Sequence, residues 1–333
     1  MLGVFIAWKR LSRRTEDLAR ELGLELAFIR DSLPYARAIA KTLSILYKNV
    51  PKIVFVQLPQ GPLLAETAIL SRFLKFRTVA DVHTGFIYTT TFKEMLLNRP
   101  FYKYLRYVEL VLAHNVLERE LIVKKTGAAE EKVMIVYDPL PSPPHKLVKP
   151  RIALDFSKSI VLPASWSPDE PIDRVVEEFL KAEVSKEHTL VVTGNYKRNV
   201  GLYNSVARVV ERFKAKSSVV LTGFMLDEEY WYLLKNCKAV IVLTNREYTL
   251  PHAMWESVTV QKPSIVAKTR TLELELGSDY PCFFNQDLSN FAHTLDSCIA
   301  EKRVGNAVSV AEKLALKSRQ SIEKLKNVVQ GFA

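Results

Sequence analysis

Residues able to do chemistry gather where apolar runs turn polar, and the clearest case is residues 240–256, VIVLTNREYTLPHAMWE. An apolar, β-branched run there leads through a polar loop containing Thr249 into a helix predicted from Leu250, with Pro251 in its first turn. The free N–H groups and dipole of a helix N-terminus favour an anion, above all phosphate. Glu256 stands about one and a half turns further in, where its carboxylate can accept hydrogen bonds from sugar hydroxyls. The alternative is a plain βαβ unit with a solvated glutamate.

Other predicted strand ends in the second half of the chain offer groups for the same kind of ligand. Gly194 and Gly223 follow buried strands and allow close approach of the backbone. Lys197 and Arg198 place cations at a strand end, which suits a diphosphate, although a solvated loop is the alternative. Phe224 can stack on a base, or it can cap the core. These five residues and the 240–256 stretch predict a nucleotide site.

The first half of the chain carries a second set of polar residues at predicted strand ends. Asp81 or His83 can act as a general base that deprotonates an acceptor hydroxyl, and a structural role in a turn is the alternative. Contacts to the acceptor or its sugar are predicted for Lys9, Arg10, His114, Asn115 and Glu247.

Residues 86–107 mix aromatic and aliphatic side chains with Lys93, Arg99, Lys103 and Arg106. A segment of this composition can lie on an anionic bilayer surface. The basic turn at residues 9–14 could add to the same patch. The alternative is a pair of solvated helices.

Composition narrows the class of protein. The chain has 333 residues, 48% hydrophobic, with a net charge of +11, which indicates anionic partners. Three scattered cysteines predict neither a disulfide framework nor a metal site, and hence a reduced, cytoplasmic setting, with the protein peripheral at most on the inner face of a membrane. The sequence has no Asp-x-Asp, P-loop or Gly-x-Ser-x-Gly pattern. We expect no metal, no cofactor and no nucleic-acid partner.

The order of predicted elements alternates between strand and helix twice. The proline-rich segment 138–145, DPLPSPPH, separates the two runs and is interpreted as a linker. We therefore predict an α/β protein with two Rossmann-like, doubly wound parallel-sheet domains facing a cleft. The domains are predicted at residues 1–145, binding the acceptor, and 146–305, binding the nucleotide-sugar. A C-terminal helix, residues 306–333, is expected to pack back on the first domain.

Over nearly its whole length, the chain resembles glycosyltransferases of the GT-B fold. The likeness is carried by residues 113–139, 161–170 and 220–229 and by the 240–256 stretch. Short strings at 81–83, 137–139, 165–170 and 249–251 are similar to the chitobiosyldiphosphodolichol β-mannosyltransferase family. The resemblance implies transfer of a hexose, such as mannose, from GDP-mannose or a UDP-sugar to a lipid-linked or glycan acceptor, without metal and with inversion. It also implies that Glu256 binds the ribose.

Two departures keep alternatives open. Glu247 and Glu256 stand one residue further apart than the paired glutamates of many retaining enzymes, and Gln261 replaces the usual glycine before Lys262. The alternatives are a nucleotide-sugar 2-epimerase on the same fold and a non-catalytic protein that binds a nucleotide-sugar or a membrane.

Overall fold

The computed structural model describes residues 3–89, 92–168, 170–299 and 301–332. The chain divides into two compact units. Unit 1 comprises Met1–Pro139 and Lys317–Ala333, and unit 2 comprises Leu140–Leu316. Each unit contains a six-stranded parallel sheet flanked by helices, as the strand and helix alternation predicts. The assignment of acceptor and donor binding to separate halves stays a prediction.

The sheet of unit 1 has the strand order β2-β1-β3-β4-β5-β6. Residues 4–8 of β1 are fully buried, which explains why this strand is an uninterrupted apolar run. In the parallel register Asp81 pairs with Leu112, so the ends of β4 and β5 lie side by side. The strands are β1 Gly3–Trp8, β2 Glu25–Ile29, β3 Ile53–Gln57, β4 Arg77–Asp81, β5 Leu110–Ala113 and β6 Val133–Ile135.

Helices cover the sheet of unit 1. The last of them, α13, returns Ile322, Leu325 and Val329 to a core that contains Phe5 and Phe55. The helices are α1 Arg13–Glu21, α2 Ala36–Asn49, α3 Gly61–Leu74, α4 Thr84–Ile87, α5 Phe92–Asn98, α6 Val116–Thr126 and α13 Glu301–Phe332, of which only Lys317 onward belongs to this unit.

The sheet of unit 2 has the strand order β12-β11-β10-β7-β8-β9. The central strands β7 and β10 are buried along their whole length. The strands are β7 Ser159–Leu162, β8 Thr189–Thr193, β9 Val219–Gly223, β10 Ala239–Val242, β11 Ser264–Ala267 and β12 Phe283–Phe284. The helices are α7 Ile172–Lys181, α8 Val200–Arg212, α9 Asp227–Asn236, α10 His252–Thr259, α11 Arg270–Leu276 and α12 Phe291–Ile299.

Two expectations are corrected by the structure of unit 2. Helix α10 begins at His252 and not at Leu250, because Pro251 keeps an extended conformation with ψ 145° and occupies the N-cap position. Cys282 and Cys298 form a disulfide, so the prediction of no disulfide was wrong. The two cysteines stand 16 residues apart, but folding brings their Cα atoms to 5.7 Å. None of the helices in the described residues has the length and apolar character needed to cross a bilayer.

Candidate functional site

Unit 1 contains a buried charge cluster centred on Asp81, at the end of β4. The Asp81 side chain is fully buried and receives the guanidinium of Arg14, whose Nε lies 3.0 Å from Oδ1 and 3.3 Å from Oδ2. Nη1 of the same guanidinium lies 2.6 Å from Oδ1 of Asp138, which follows β6. One arginine from α1 therefore joins a carboxylate at the end of β4 to one that follows β6.

Two histidines stand over this cluster. His83 Nε2 lies 3.2 Å from Asp81 Oδ2, and His114 Nε2 lies 3.8 Å from Asp81 Oδ1. The two rings meet edge to face with centroids 5.0 Å apart. Their side chains are 20% and 15% exposed while Asp81 is inaccessible. The two histidines and Asp138, whose side chain is 21% exposed, are thus the members of the cluster that a ligand can reach.

Burial and charge set the protonation states of the cluster. Burial would raise the pKa of Asp81, but Arg14 beside it, with help from His83 and His114, outweighs burial and lowers that pKa. Burial, followed by the charge of Arg14, lowers the pKa of His114 to about 3. At neutral pH Asp81 is therefore an ionised hydrogen-bond acceptor and a weak base, and the His114 imidazole is neutral.

Neighbouring polar groups hold the cluster in position. Gln57 Oε1, at the end of β3, accepts hydrogen bonds from the Ser12 N–H at 3.0 Å and the Thr15 hydroxyl at 2.8 Å, which fixes the start of α1. Glu118 Oε2 accepts from the His114 N–H at 2.7 Å. Burial raises the pKa of Glu118 to about 8, although hydrogen bonds from His114 and Thr84 oppose the rise.

The ligand atoms of Asp81, His83 and His114 lie within 4.8 Å of one another, a grouping able to ligate a divalent cation. Arg14 already contacts both oxygens of Asp81. A second cation at the same carboxylate would be repelled by this permanent charge. The arrangement therefore suits proton transfer better than metal binding.

Unit 2 contains a cavity of about 380 Å³ at the carboxyl ends of its strands. The first turn of α10 forms part of its wall through His252 and Ala253, and Glu256 lies one turn further along. N–H groups at such a helix start have no intrahelical acceptor. The remaining lining residues are Pro163, Ala164, Ser165, Glu170, Thr193, Gly194, Phe224, Met225, Asp227, Tyr230, Leu243 and Pro251.

The carboxylate of Glu256 is fixed in this cavity by two neighbours. The Tyr230 hydroxyl donates to Oε2 at 2.5 Å, and His252 Nε2 lies 3.4 Å from Oε1. Burial and the charge of Glu256 raise the pKa of Tyr230, so the phenol remains a donor. Glu256 itself is 8% exposed. The predicted acidic residue is thus held rigidly at the cavity wall.

The glycines at the strand ends have a steric role. Gly194 has φ +90°, and a Cβ atom there would lie 1.9 Å from the Ala164 carbonyl oxygen. Gly223 has φ +70°, and its carbonyl accepts from the Gly194 N–H at 3.0 Å. Phe224, next in the chain, is 78% exposed although it lines the cavity. An aromatic ring in this position can stack on a flat ligand.

A smaller groove of about 200 Å³ shares four lining residues with the cavity, namely Ser165, Glu170, Leu243 and Pro251. Thr249 and Arg246 line this groove, and sequence reasoning had overlooked Arg246. The other lining residues are Ser167 and Thr244. Leu250, between Thr249 and Pro251, is buried.

Three predicted residues lie outside the linings of the cavity and the groove. Lys197 and Arg198 are exposed in a short 3₁₀ turn, Tyr196–Arg198, and line neither the cavity nor the groove. The carboxylate of Glu247 accepts the backbone N–H groups of Arg270 at 3.1 Å and Thr271 at 3.4 Å, at the start of α11. A charge at a strand end therefore does not by itself indicate a ligand contact.

The residues of unit 1 that were predicted to contact the acceptor lie in different environments. His114 joins the Asp81 cluster, whereas Asn115 is buried and caps α6 by accepting the Glu118 N–H at 2.9 Å. Lys9 and Arg10 are exposed after β1. The carbonyl of Arg10 accepts from Gln57 Nε2 at 2.8 Å.

The sequence matches no protein-family model and no curated protein. Solved structures are similar over nearly the whole chain. HepE of Anabaena in complex with UDP aligns with a TM-score of 0.70 and 13% identity, over 98% of this chain and 100% of HepE. A glycosyltransferase of Rickettsia africae aligns with a TM-score of 0.74 and 12% identity, over 99% of this chain and 98% of its own. The structure of OtsA without ligand aligns with a TM-score of 0.74 and 10% identity, over 98% of both chains. At these identities the likeness establishes the fold, and the chain has the two-unit α/β architecture known as GT-B.

Proposed function

We propose that this protein is a glycosyltransferase that moves a hexose from a nucleoside-diphosphate sugar to an acceptor hydroxyl without a metal ion. The observation that carries the proposal is the unit 2 cavity, in which a helix start and a fixed carboxylate stand about one turn apart. Phosphate and ribose need these two kinds of group. HepE, which shares the fold, has been solved in complex with UDP-glucose.

The diphosphate is proposed to bind at the start of α10. Among the residues that line the cavity there is no lysine or arginine, and Glu170, Asp227 and Glu256 are acidic. The negative charge of a diphosphate would therefore be balanced by the first-turn N–H groups of α10 and by Arg246 in the adjoining groove. Lys197 and Arg198 are left out of this role.

The two other parts of a nucleotide have matching groups. Glu256 accepts hydrogen bonds from the ribose hydroxyls, because its carboxylate is held by Tyr230 and His252. Phe224 stacks on the base. The base, guanine or uracil, stays a prediction. The hexose, mannose or another sugar, also stays a prediction.

The Asp81 cluster of unit 1 is proposed to accept the proton of the acceptor hydroxyl. The acceptor oxygen forms a bond to the anomeric carbon, the bond from that carbon to the diphosphate oxygen breaks, and the nucleoside diphosphate leaves. The acceptor proton passes to His83, whose Nε2 faces Asp81 and whose other ring nitrogen can act as the base. Asp81 orients the ring and stabilises the imidazolium. A single displacement of this kind inverts the anomeric centre, and the lipid-linked or glycan nature of the acceptor stays a prediction.

The test is an assay of nucleoside diphosphate release from GDP-mannose and a panel of UDP-sugars, with candidate glycan and polyprenyl-linked acceptors, with and without EDTA. We expect one donor to be consumed only when an acceptor is present, at a rate that EDTA does not change. Loss of all activity in EDTA would overturn the metal-free mechanism. Conversion of the donor to another sugar nucleotide without acceptor would indicate the epimerase alternative.

A further inference from the structure

A second cavity, in unit 1, has a wall of a different chemical character. Its volume is about 440 Å³, large enough for a phosphorylated head group. Four of its eight lining residues are cations: Arg99, Lys103, Arg106 and Lys125. The others, Thr89, Met95, Tyr102 and Thr126, include no acidic residue.

Three of the four cations of this basic cavity are held by contacts that do not neutralise them. Arg106 Nε donates to the Thr126 carbonyl at 2.9 Å, and Lys125 Nζ donates to the Ile87 carbonyl at 2.9 Å. Lys103 Nζ lies 5.3 Å from the ring centre of Tyr104. Within the described part of the chain, none of the four cations forms an ion pair with a carboxylate. Like charges are normally kept apart, so four of them around one cavity indicate an anionic ligand.

An apolar surface adjoins the basic cavity. Helix α5 contributes Met95 to the cavity wall and exposes Phe92 (73%), Leu96 (64%) and Leu97 (45%) to solvent. Phe92 and Leu96 are four residues apart and share a helix face. An exposed apolar face beside clustered cations is the pattern of a segment that lies on an anionic bilayer.

We infer that the basic cavity binds the phosphate group of a membrane lipid while the exposed face of α5 lies among the acyl chains. A phosphate monoester carries between one and two negative charges near neutral pH and several acceptor oxygens, which matches the convergent lysine and arginine donors. This binding is separate from sugar transfer and does not require that the proposed transferase activity exist.

The experiment is vesicle sedimentation of the full chain, without any nucleotide-sugar. Wild-type protein is expected to bind phosphatidylcholine vesicles that contain phosphatidic acid more tightly than vesicles in which oleate supplies the same charge. The double variant Arg99→Ala/Lys103→Ala is expected to bind about 25-fold more weakly, at about fivefold for each cation lost near a membrane surface. Both side chains are exposed, so the fold should survive, and circular dichroism checks this.

The matched control is Lys41→Ala/Lys48→Ala, which removes two exposed cations of α2 that do not line the cavity. Equal losses in both double variants would overturn the inference, because they would indicate diffuse attraction and no site. Equal binding to the oleate vesicles would overturn it as well. Titration with inorganic pyrophosphate separates a lipid from a soluble source, since pyrophosphate binding without vesicle binding would contradict the lipid assignment.

Discussion

The Asp81 cluster of unit 1 and the cavity of unit 2 deal with charge in opposite ways. In unit 1 full charges meet inside the protein, where one buried guanidinium joins the carboxylates of Asp81 and Asp138. In unit 2 the cavity wall offers helix N–H groups and one carboxylate fixed by a tyrosine. The first arrangement sets protonation states in advance, and the second leaves room for an anion that arrives with its own charge. The proposed transfer reaction needs both a base held in position and a site for a charged leaving group.

The largest expected effect is on turnover in unit 1. We expect His83→Gln to lower kcat by roughly 10²- to 10⁴-fold, because the acceptor proton loses its base. The assay is nucleoside diphosphate release with the active donor and acceptor. His145→Gln, a change at an exposed histidine, is the control and should keep the wild-type rate. A wild-type rate for His83→Gln would remove the cluster from the mechanism.

The next effect is on stability in the same cluster. Arg14→Ala should lower the free energy of unfolding by about 3–5 kcal/mol, since it leaves two carboxylates without their buried partner. Urea denaturation measures this. The neighbouring Arg13→Ala removes a half-exposed arginine whose contact with Asp17 is 4.0 Å, and should cost only about 0–1 kcal/mol. Similar losses for the two variants would contradict the central role of Arg14.

A smaller effect is expected in unit 2. Glu256→Gln should weaken binding of the preferred nucleoside diphosphate roughly 10- to 100-fold, as is typical when a charged hydrogen-bond acceptor is lost. Isothermal titration calorimetry gives the Kd. Glu228→Gln, an exposed carboxylate in the adjacent α9, serves as the matched control. Unchanged affinity in Glu256→Gln would show that the cavity does not bind the ribose through this residue.

The smallest effect is a change in the pH dependence of stability. The folded pKa of His114 lies near 3, below its usual value, so the folded state binds a proton less readily than the unfolded state. Its stabilising contribution is present above about pH 6.5 and is lost as the pH falls toward the folded value. His114→Gln should therefore flatten the acid side of the curve, by at most about 1.4 kcal/mol per pH unit. Denaturation series at several pH values test this, and an unchanged slope would contradict the lowered pKa.

Local patterns in the sequence predicted the frame well. Strands such as residues 240–242 are short apolar runs buried on both faces. Asp81, His83 and Gly194 lie at or just after the ends of other strands, where the ligand-binding edge of a parallel sheet was expected. Pro251 correctly marked a helix start, one residue before the helix rather than inside its first turn.

Contacts between side chains that are far apart in the sequence could not be predicted from such local patterns. Arg14 meets Asp138 across 124 residues of sequence, and Tyr230 meets Glu256 across 26, so neither pair has a local signal. Lys197 and Arg198 follow a strand end without lining the cavity, because position at a strand end does not fix the direction of a long side chain. The disulfide between Cys282 and Cys298 also has no local signal, since only the folded chain brings the two cysteines together.

The proposed binding of a nucleoside diphosphate in unit 2, through its diphosphate and its ribose, can be tested by one series of calorimetric titrations. Titrations of the protein with UDP, GDP and the corresponding nucleosides compare ligands that differ in base and in the presence of phosphate. We expect that one diphosphate binds, that its nucleoside binds far more weakly, and that Glu256→Gln lowers the affinity for the diphosphate. Equal binding of nucleoside and diphosphate, or no binding of either diphosphate, would contradict it.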